Sequence, residues 1–186
     1  MNEKLTTSVK DLTLSQGADL VGIASAESFV EAPEGHRPEK LLRGARSVIV
    51  MAIHLLDASL ESAPSREYSI TYSVANRELD RIAFRVARFL QDKGYRALQV
   101  PASPPYDVSC NMGDLSHRHV GYLAGLGVFG KNSLLLSPKF GPRIRLVSVI
   151  TDAPLMGDKP LDLDLCKDCD KCIRACPAGA LKENRT

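Results

Sequence analysis

The chain has 186 residues, enough for one hydrophobic core and a small appendage. With 24 Lys and Arg against 22 Asp and Glu it carries a formal net charge of +2, so no global field recruits nucleic acid or an anionic membrane. A small molecule or a protein is the expected partner, and nucleic acid is not. The apolar run VIVMAI is far shorter than the roughly 20 residues of a membrane span, and MNEKLTTSVKDL lacks the apolar core of a signal peptide; a cytoplasmic protein is expected.

In chain order, residues 3–16 suit a helix stopped by Gly17, and DLVGIAS suits a short strand. Pro38 starts a helix followed by a basic turn (Lys40, Arg43, Arg46) and a buried strand from Val48 to Ile53. Residues 66–93 carry Leu79, Ile82, Ala83, Val86, Ala87 and Leu90 at helical period and close at Gly94. After the strand YRALQV, the stretch PASPPYDVSCNMGD breaks every regular pattern, and long loops of this kind tend to carry function. Asp114 is placed to cap a helix over Leu115–Leu123. The segments NSLLLSP and RIRLVSVIT read as strands joined at KFGP, and an Asp- and Pro-rich linker then leads to the cysteines. The expected division is residues 1–158 as an α/β domain and 159–186 as an appended, incomplete metal-binding segment.

Four of the five cysteines fall in CKDCDKCIRACP, which is C-x2-C-x2-C-x3-C-P over Cys166, Cys169, Cys172, Cys176 and Pro177. Thiolates at such gaps wrap a loop around an iron–sulfur cube, so a 4Fe-4S cluster is the expected cofactor. Zinc is the rival, but its paired knuckles are usually set farther apart. In two-cluster ferredoxins the fourth cysteine of such a run ligates the other cube, so a second cysteine motif is expected beyond Thr186. Otherwise the missing ligand comes from Cys110, a non-cysteine group or another subunit.

AGLGVFGKNS fits two phosphate-binding patterns on paper, G-x-G-x-x-G through Gly125, Gly127 and Gly130, and G-x-x-x-x-G-K ending at Lys131. Both mechanisms need a strand before the glycines and a helix after them, so that phosphate meets free N–H groups at a helix N-terminus. Here a helix leads in and a strand leads out. A glycine turn that merely ends a helix, or one that lines a cofactor, remains open.

The segments HRPEKLLRGARSVIVMAI, YSVANRELDRIAFRVARFL and LAGLGVFGKNSLLLSPKFGPRIRLVSVITDAPL, with the cysteine run, resemble the epoxyqueuosine reductase and reductive dehalogenase superfamily across nearly the whole chain. The resemblance implies an α/β (α+β) fold, a nitroreductase-like cobalamin-binding domain followed by a ferredoxin-like segment. It also implies a cobalamin-dependent reductase acting on a small organic substrate, with an electron donor such as ferredoxin or flavodoxin; a homodimer is left open. Gly125, Gly127 and Gly130 would then admit the corrinoid, with Lys131, Asn132 and Ser133 bonding its periphery. Tyr72 matches a family tyrosine. Asn111 stands where epoxyqueuosine reductases carry a proton-donating aspartate, and Asn cannot be a general acid. Their Glu-Arg pair becomes His117-Arg118, so Arg118 is retained. The alternative to an enzyme is a non-catalytic electron-transfer or corrinoid-handling protein.

His117 and His119 lie two apart, hence on different helix faces, and are poor joint metal ligands. His117 is a candidate proton donor near neutral pH. His36 and Arg37 read as a solvated basic turn, Cys110 as a buried small residue, and His54 as structural.

Overall fold

Asn2 accepts a hydrogen bond from the Leu5 amide at 3.0 Å and so caps the first helix, α1 (Glu3–Ser15). The computed structural model describes residues 2–103 and 112–182; Cys110 and Asn111 lie outside the described residues. After α1 come β1 (Leu20–Ser25), the short α2 (Pro38–Leu41), β2 (Ser47–His54) and α3 (Asp57–Glu61). The long α4 (Arg66–Asp92) is capped by the Ser65 hydroxyl, which takes the Tyr68 amide at 3.0 Å. Then follow β3 (Ala97–Val100), α5 (His117–Leu123), β4 (Val128–Phe129), β5 (Leu135–Leu136), β6 (Ile144–Thr151) and α6 (Lys171–Ala175).

The main sheet has the order β1–β2–β6–β3, with every neighbouring pair antiparallel. Its central strand β2 is buried from Ser47 to Ala52 because helices cover both faces. Ile49 and Met51 point into one core, with Leu79, Ile82, Val86 and Leu90 of α4 and Val9 of α1. Val48, Val50 and Ala52 point into the other, with Val120 of α5 and Leu126. The alternation of β2 thus divides one apolar run between two layers. The mixed α and β fold expected from the sequence is present as this three-layer arrangement.

Two local expectations change. NSLLLSP does not join the main sheet: only Leu135–Leu136 is strand, and it pairs with Val128–Phe129 in a separate two-stranded ribbon. The turn at KFGP closes through reciprocal backbone bonds between Ser137 and Gly141, which redirects the chain into β6. The basic turn is also more than a solvated face. Arg37 donates to the carbonyls of Ala32 at 3.1 Å and Val30 at 2.7 Å, and His36 Nδ1 bonds the Gly113 carbonyl at 3.1 Å.

Candidate functional site

The chain leaves the sheet after β3 at residues 101–103, and side chains from three elements fasten that exit. Arg145 of β6 donates through Nε to Asn76 Oδ1 at 2.9 Å and through Nη2 to the Ala102 carbonyl at 3.1 Å. Its guanidinium also lies over the Tyr72 ring, 4.3 Å from the centroid. Tyr72 and Tyr68, one turn apart on α4, have ring centroids 6.2 Å apart. Asp80 accepts the Ala102 amide at 2.9 Å. Tyr72 is therefore held from below by a cation, beside the point where the chain departs into the loop.

His117 belongs to the same junction. Its Nε2 lies 2.8 Å from the Pro101 carbonyl and its Nδ1 2.9 Å from Ser148 Oγ. A carbonyl can only accept, so Nε2 carries the proton and Nδ1 accepts from the serine hydroxyl. Burial lowers the His117 pKa, outweighing the raising effect of the Pro101 carbonyl, and the Arg145 cation depresses it further. The ring is neutral with both nitrogens engaged internally. His117, expected as a candidate proton donor, ties α5 to β6 and to the Pro101 carbonyl.

Asp114 does not cap α5. The N-cap is Ser116, which makes no side-chain cap because its hydroxyl pairs with His119 Nδ1 at 2.7 Å. His119 projects away from His117 and packs on Phe129, centroids 4.8 Å apart, so the two histidines diverge as their spacing requires. Burial, then the Arg118 cation, lowers the His119 pKa. Arg118 Nη1 donates to the Ser133 carbonyl at 2.6 Å, pinning the 130–134 turn to α5.

That turn is the glycine motif, and its setting is helix before, ribbon after. Gly125 has φ +69° just past the end of α5, and a Cβ there would meet the carbonyl of Lys159. A Cβ on Gly127 would collide with the Leu136 carbonyl across the ribbon, and one on Gly130 with the Asn132 and Leu136 side chains. The space these glycines leave is filled by the chain itself. Asn132 Oδ1 accepts the Leu134 amide at 3.1 Å, and Ser133 sits at φ +59°. Of the six residues expected around a cofactor, Lys131 lines the neighbouring groove, Ser133 is exposed and Asn132 is half-buried.

Lys131, Tyr122, Val128 and Phe129 form one wall of an open groove of about 580 Å³; the linker residues Leu161 to Asp164, together with Cys166, form the other. Tyr122 and Phe129 have centroids 5.7 Å apart. Two aromatic faces, one ammonium and a strip alternating Leu and Asp suit a flat ligand with an apolar face and a polar rim.

The cysteine segment begins at the groove. The Cys166 amide donates to Asp164 Oδ1 at 2.9 Å, and Cys169 N–H to the Cys166 carbonyl at 3.2 Å. Cys172 lies in α6 and Cys176 ends it. All four are free thiols. The Cys176 thiol is pulled below its ordinary pKa first by the Ala180 N–H and then by that of Ala178, a nest that favours thiolate. Four free thiols with amides aimed at the last sulfur fit an iron–sulfur cube by donor chemistry. Among the described residues no group of three or more His, Cys, Asp or Glu side chains converges as a preformed ion site.

Residues 159–182 match the 4Fe-4S binding domain family. The chain is 32% identical over 172 residues to a tetrachloroethene reductive dehalogenase of Desulfitobacterium hafniense, covering 91% of this chain and 28% of the relative. It is 30% identical over 211 residues to an epoxyqueuosine reductase of Bacillus cereus, covering 96% of this chain and 53% of the relative. Among solved structures, a catabolic reductive dehalogenase superposes with a TM-score of 0.79 at 25% identity, over 98% of this chain and 26% of that one. A selenomethionine-labelled epoxyqueuosine reductase gives 0.69 at 25% identity, over 95% and 53%. An α and β domain carrying an iron–sulfur segment is the class that the fold and the family match define. The chain belongs to the epoxyqueuosine reductase and reductive dehalogenase superfamily. It spans about half the length of the epoxyqueuosine reductases it matches and about a quarter of the dehalogenases.

Sequence reading missed Arg145, Tyr122, Phe129 and Asp158. Arg145 left a signal, being a cation in the apolar strand RIRLVSVIT between buried Ile144 and Leu146. The two aromatics left none, since their partnership arises only when the ribbon folds beside α5.

Proposed function

We propose that this chain is the core of an iron–sulfur oxidoreductase, with Cys166, Cys169, Cys172 and Cys176 holding a 4Fe-4S cluster as the electron source and the adjoining groove seating a corrinoid. The substrate is a small organic molecule. One observation carries the reading: Cys166 and Lys131 line the same groove, so the metal-binding segment and the glycine turn meet at one place. A relative of the same fold is a reductive dehalogenase for which a mechanism of B12-dependent dehalogenation has been suggested.

A corrinoid, when bound, supplies cobalt chemistry at low potential. This chain's own residues do the rest. Tyr122 and Phe129 exclude water from an apolar ring face, and Lys131 donates to an amide or phosphate at its edge. Gly125, Gly127 and Gly130 act indirectly, by letting the turn pack closely enough to present Lys131. Asn132 and Ser133 shape that turn, and Arg118 holds it through the Ser133 carbonyl. Tyr72, held by Arg145, lies outside the residues that line the groove and is the further side chain that this reading turns toward the substrate.

The second reading, a non-catalytic electron-transfer or corrinoid-handling protein, is favoured by His117, whose proton is committed to a backbone carbonyl. A cytoplasmic setting and a donor such as ferredoxin or flavodoxin belong to the leading proposal; among the described residues no helix is long and apolar enough to cross a membrane. Nucleic acid, not expected from charge, enters the test because an epoxyqueuosine reductase of this fold was solved with a tRNA stem loop.

The test is anaerobic reconstitution with iron and sulfide, metal analysis, and absorption and paramagnetic resonance spectra with added cobalamin. Uptake of iron and sulfide together with a shifted corrin spectrum is expected. Cluster formation with an unmoved corrin spectrum overturns the corrinoid reading, and zinc without sulfide overturns both. A stem-loop RNA retained on the loaded protein would replace the small-molecule substrate.

A further inference from the structure

We propose that Asp158 is a latch that positions the iron–sulfur segment, with Gly125 as the seat into which the chain drops immediately after it. The inference rests on the reading of residues 159–182 as the electron-delivering segment.

The chain between β6 and the cysteines is stapled along its first half. Ser47 Oγ donates to the Ala153 carbonyl at 2.9 Å and accepts the Leu155 amide at 3.2 Å. The Asn2 amide donates to the Pro154 carbonyl at 2.8 Å, and the Met156 amide to Thr6 Oγ1 at 2.9 Å. Asp158 closes the series with three contacts. Its amide donates to the Ile23 carbonyl at 2.7 Å, its Oδ2 accepts the Ile23 amide at 2.9 Å, and its Oδ1 pairs with Lys10 Nζ at 2.6 Å. The pair is partly buried, at 29% and 33% exposure, so it is screened less than a surface pair.

Beyond Asp158 the next hydrogen bond among the described residues is that of the Cys166 amide to Asp164. In the intervening span, Leu163 and Leu165 are 50% and 42% exposed. The positional information for the groove's second wall is therefore concentrated at two neighbouring points. Asp158 is clipped to β1, and the Lys159 carbonyl lies where a Cβ on Gly125 would be. Because Gly125 also ends α5, one contact couples the segment to the helix that carries Tyr122. An electron path from the cysteines to the groove then has its length set by Asp158 and Gly125 rather than by the exposed linker.

The experiment uses the full chain loaded with iron and sulfide under anaerobic conditions, digested briefly with thermolysin, which cuts before leucine. Asp158→Ala and Gly125→Ala are each expected to speed cleavage at Leu161, Leu163 and Leu165 by about tenfold or more. Asp158→Asn keeps an acceptor for the Ile23 amide but loses the ion pair, and should fall between. Val86→Ala, a core truncation away from the latch, controls for general loosening and should not favour these sites. Iron content should stay at the wild-type value throughout. Cleavage in Asp158→Ala equal to wild type, or no greater at these bonds than in Val86→Ala, overturns the latch. Neither readout involves a corrin or turnover, so failure of the corrinoid reading leaves this result standing.

Discussion

The guanidinium of Arg145 lies 4.3 Å from the centre of the Tyr72 ring while its Nε and Nη2 are spent on Asn76 and the Ala102 carbonyl. A single side chain thereby fixes Tyr72, helix α4 and the point at Ala102 where the chain leaves the sheet. Replacing it by Met should cost about 1–3 kcal/mol of unfolding free energy, the range usual for breaking a partly buried hydrogen-bond network. Arg145→Lys keeps the charge without the fork and should recover less than half of the loss. A cycle with Tyr72→Leu, followed by urea unfolding, should return a coupling of about 0.5–2 kcal/mol. Additive losses would show that ring and cation are neighbours without interaction.

His117 gives the fold a pH dependence with a defined sign. Its native pKa is lowered by burial, so the unfolded chain binds the extra proton more readily. The stabilisation is complete above the unfolded value of about 6.5 and is lost as pH falls below it. His119, lowered for a similar reason, adds in the same direction. Stability measured from pH 8 to pH 5 should decline through the acid half of that range. His117→Gln, which retains a donor and an acceptor, should flatten the decline. In an imidazole titration by nuclear magnetic resonance, a His117 resonance that titrates at or above the ordinary value would contradict the assignment.

Serine at any one of Cys166, Cys169, Cys172 or Cys176 should reduce bound iron and sulfide, because an alkoxide ligand at these positions is harder and costlier to ionise than a thiolate. Removal of the cluster by chelator and oxidant should bleach the visible absorption while leaving far-ultraviolet dichroism close to that of the loaded protein, since both cores lie outside residues 159–182. Collapse of the α4 and sheet signal on metal removal would show that the cluster is a folding nucleus.

Gly127→Ala should destabilise by about 1–3 kcal/mol, because the new methyl meets a backbone carbonyl and neither strand of the ribbon can yield without breaking its pairing. Lys131→Met, in contrast, should leave the unfolding midpoint within about 0.5 kcal/mol of wild type, since its side chain faces the groove. It should weaken cobalamin uptake measured by the corrin spectrum. Equal uptake in Lys131→Met would remove the lysine from the cofactor site.

Elements built on long periodic segments were legible from the residues. The apolar positions of α4 from Leu79 to Leu90 and the run Val48–Ile53 carry their periods over enough residues to outvote local noise. The cysteine spacing was equally readable, because its chemistry depends on sequence distance alone. Residues whose roles come from contacts across the fold were not. Asp114 looked like a cap until the helix began two residues later with Ser116 committed to His119. That Pro101 and Ser148 engage both nitrogens of His117 could not be read from its position in the chain. The helix before the glycines at 125, 127 and 130 and the strand after them were legible, and both are present. That their neighbours are Lys159 and Leu136 required the ribbon and the linker to be in place.

Strand β1 stands at an open margin of the main sheet, with β2 on its other side. Such a margin offers unpaired amides and carbonyls to any passing strand, and proteins blunt it with charge or a covering segment. The Asp158 contacts do both, since its backbone amide and carboxylate occupy the carbonyl and amide of Ile23 while a carboxylate–ammonium pair sits alongside. The segment that leads to the cysteines is thus also a guard against strand addition, and a chain cut or unlatched before residue 158 would expose a template for self-association.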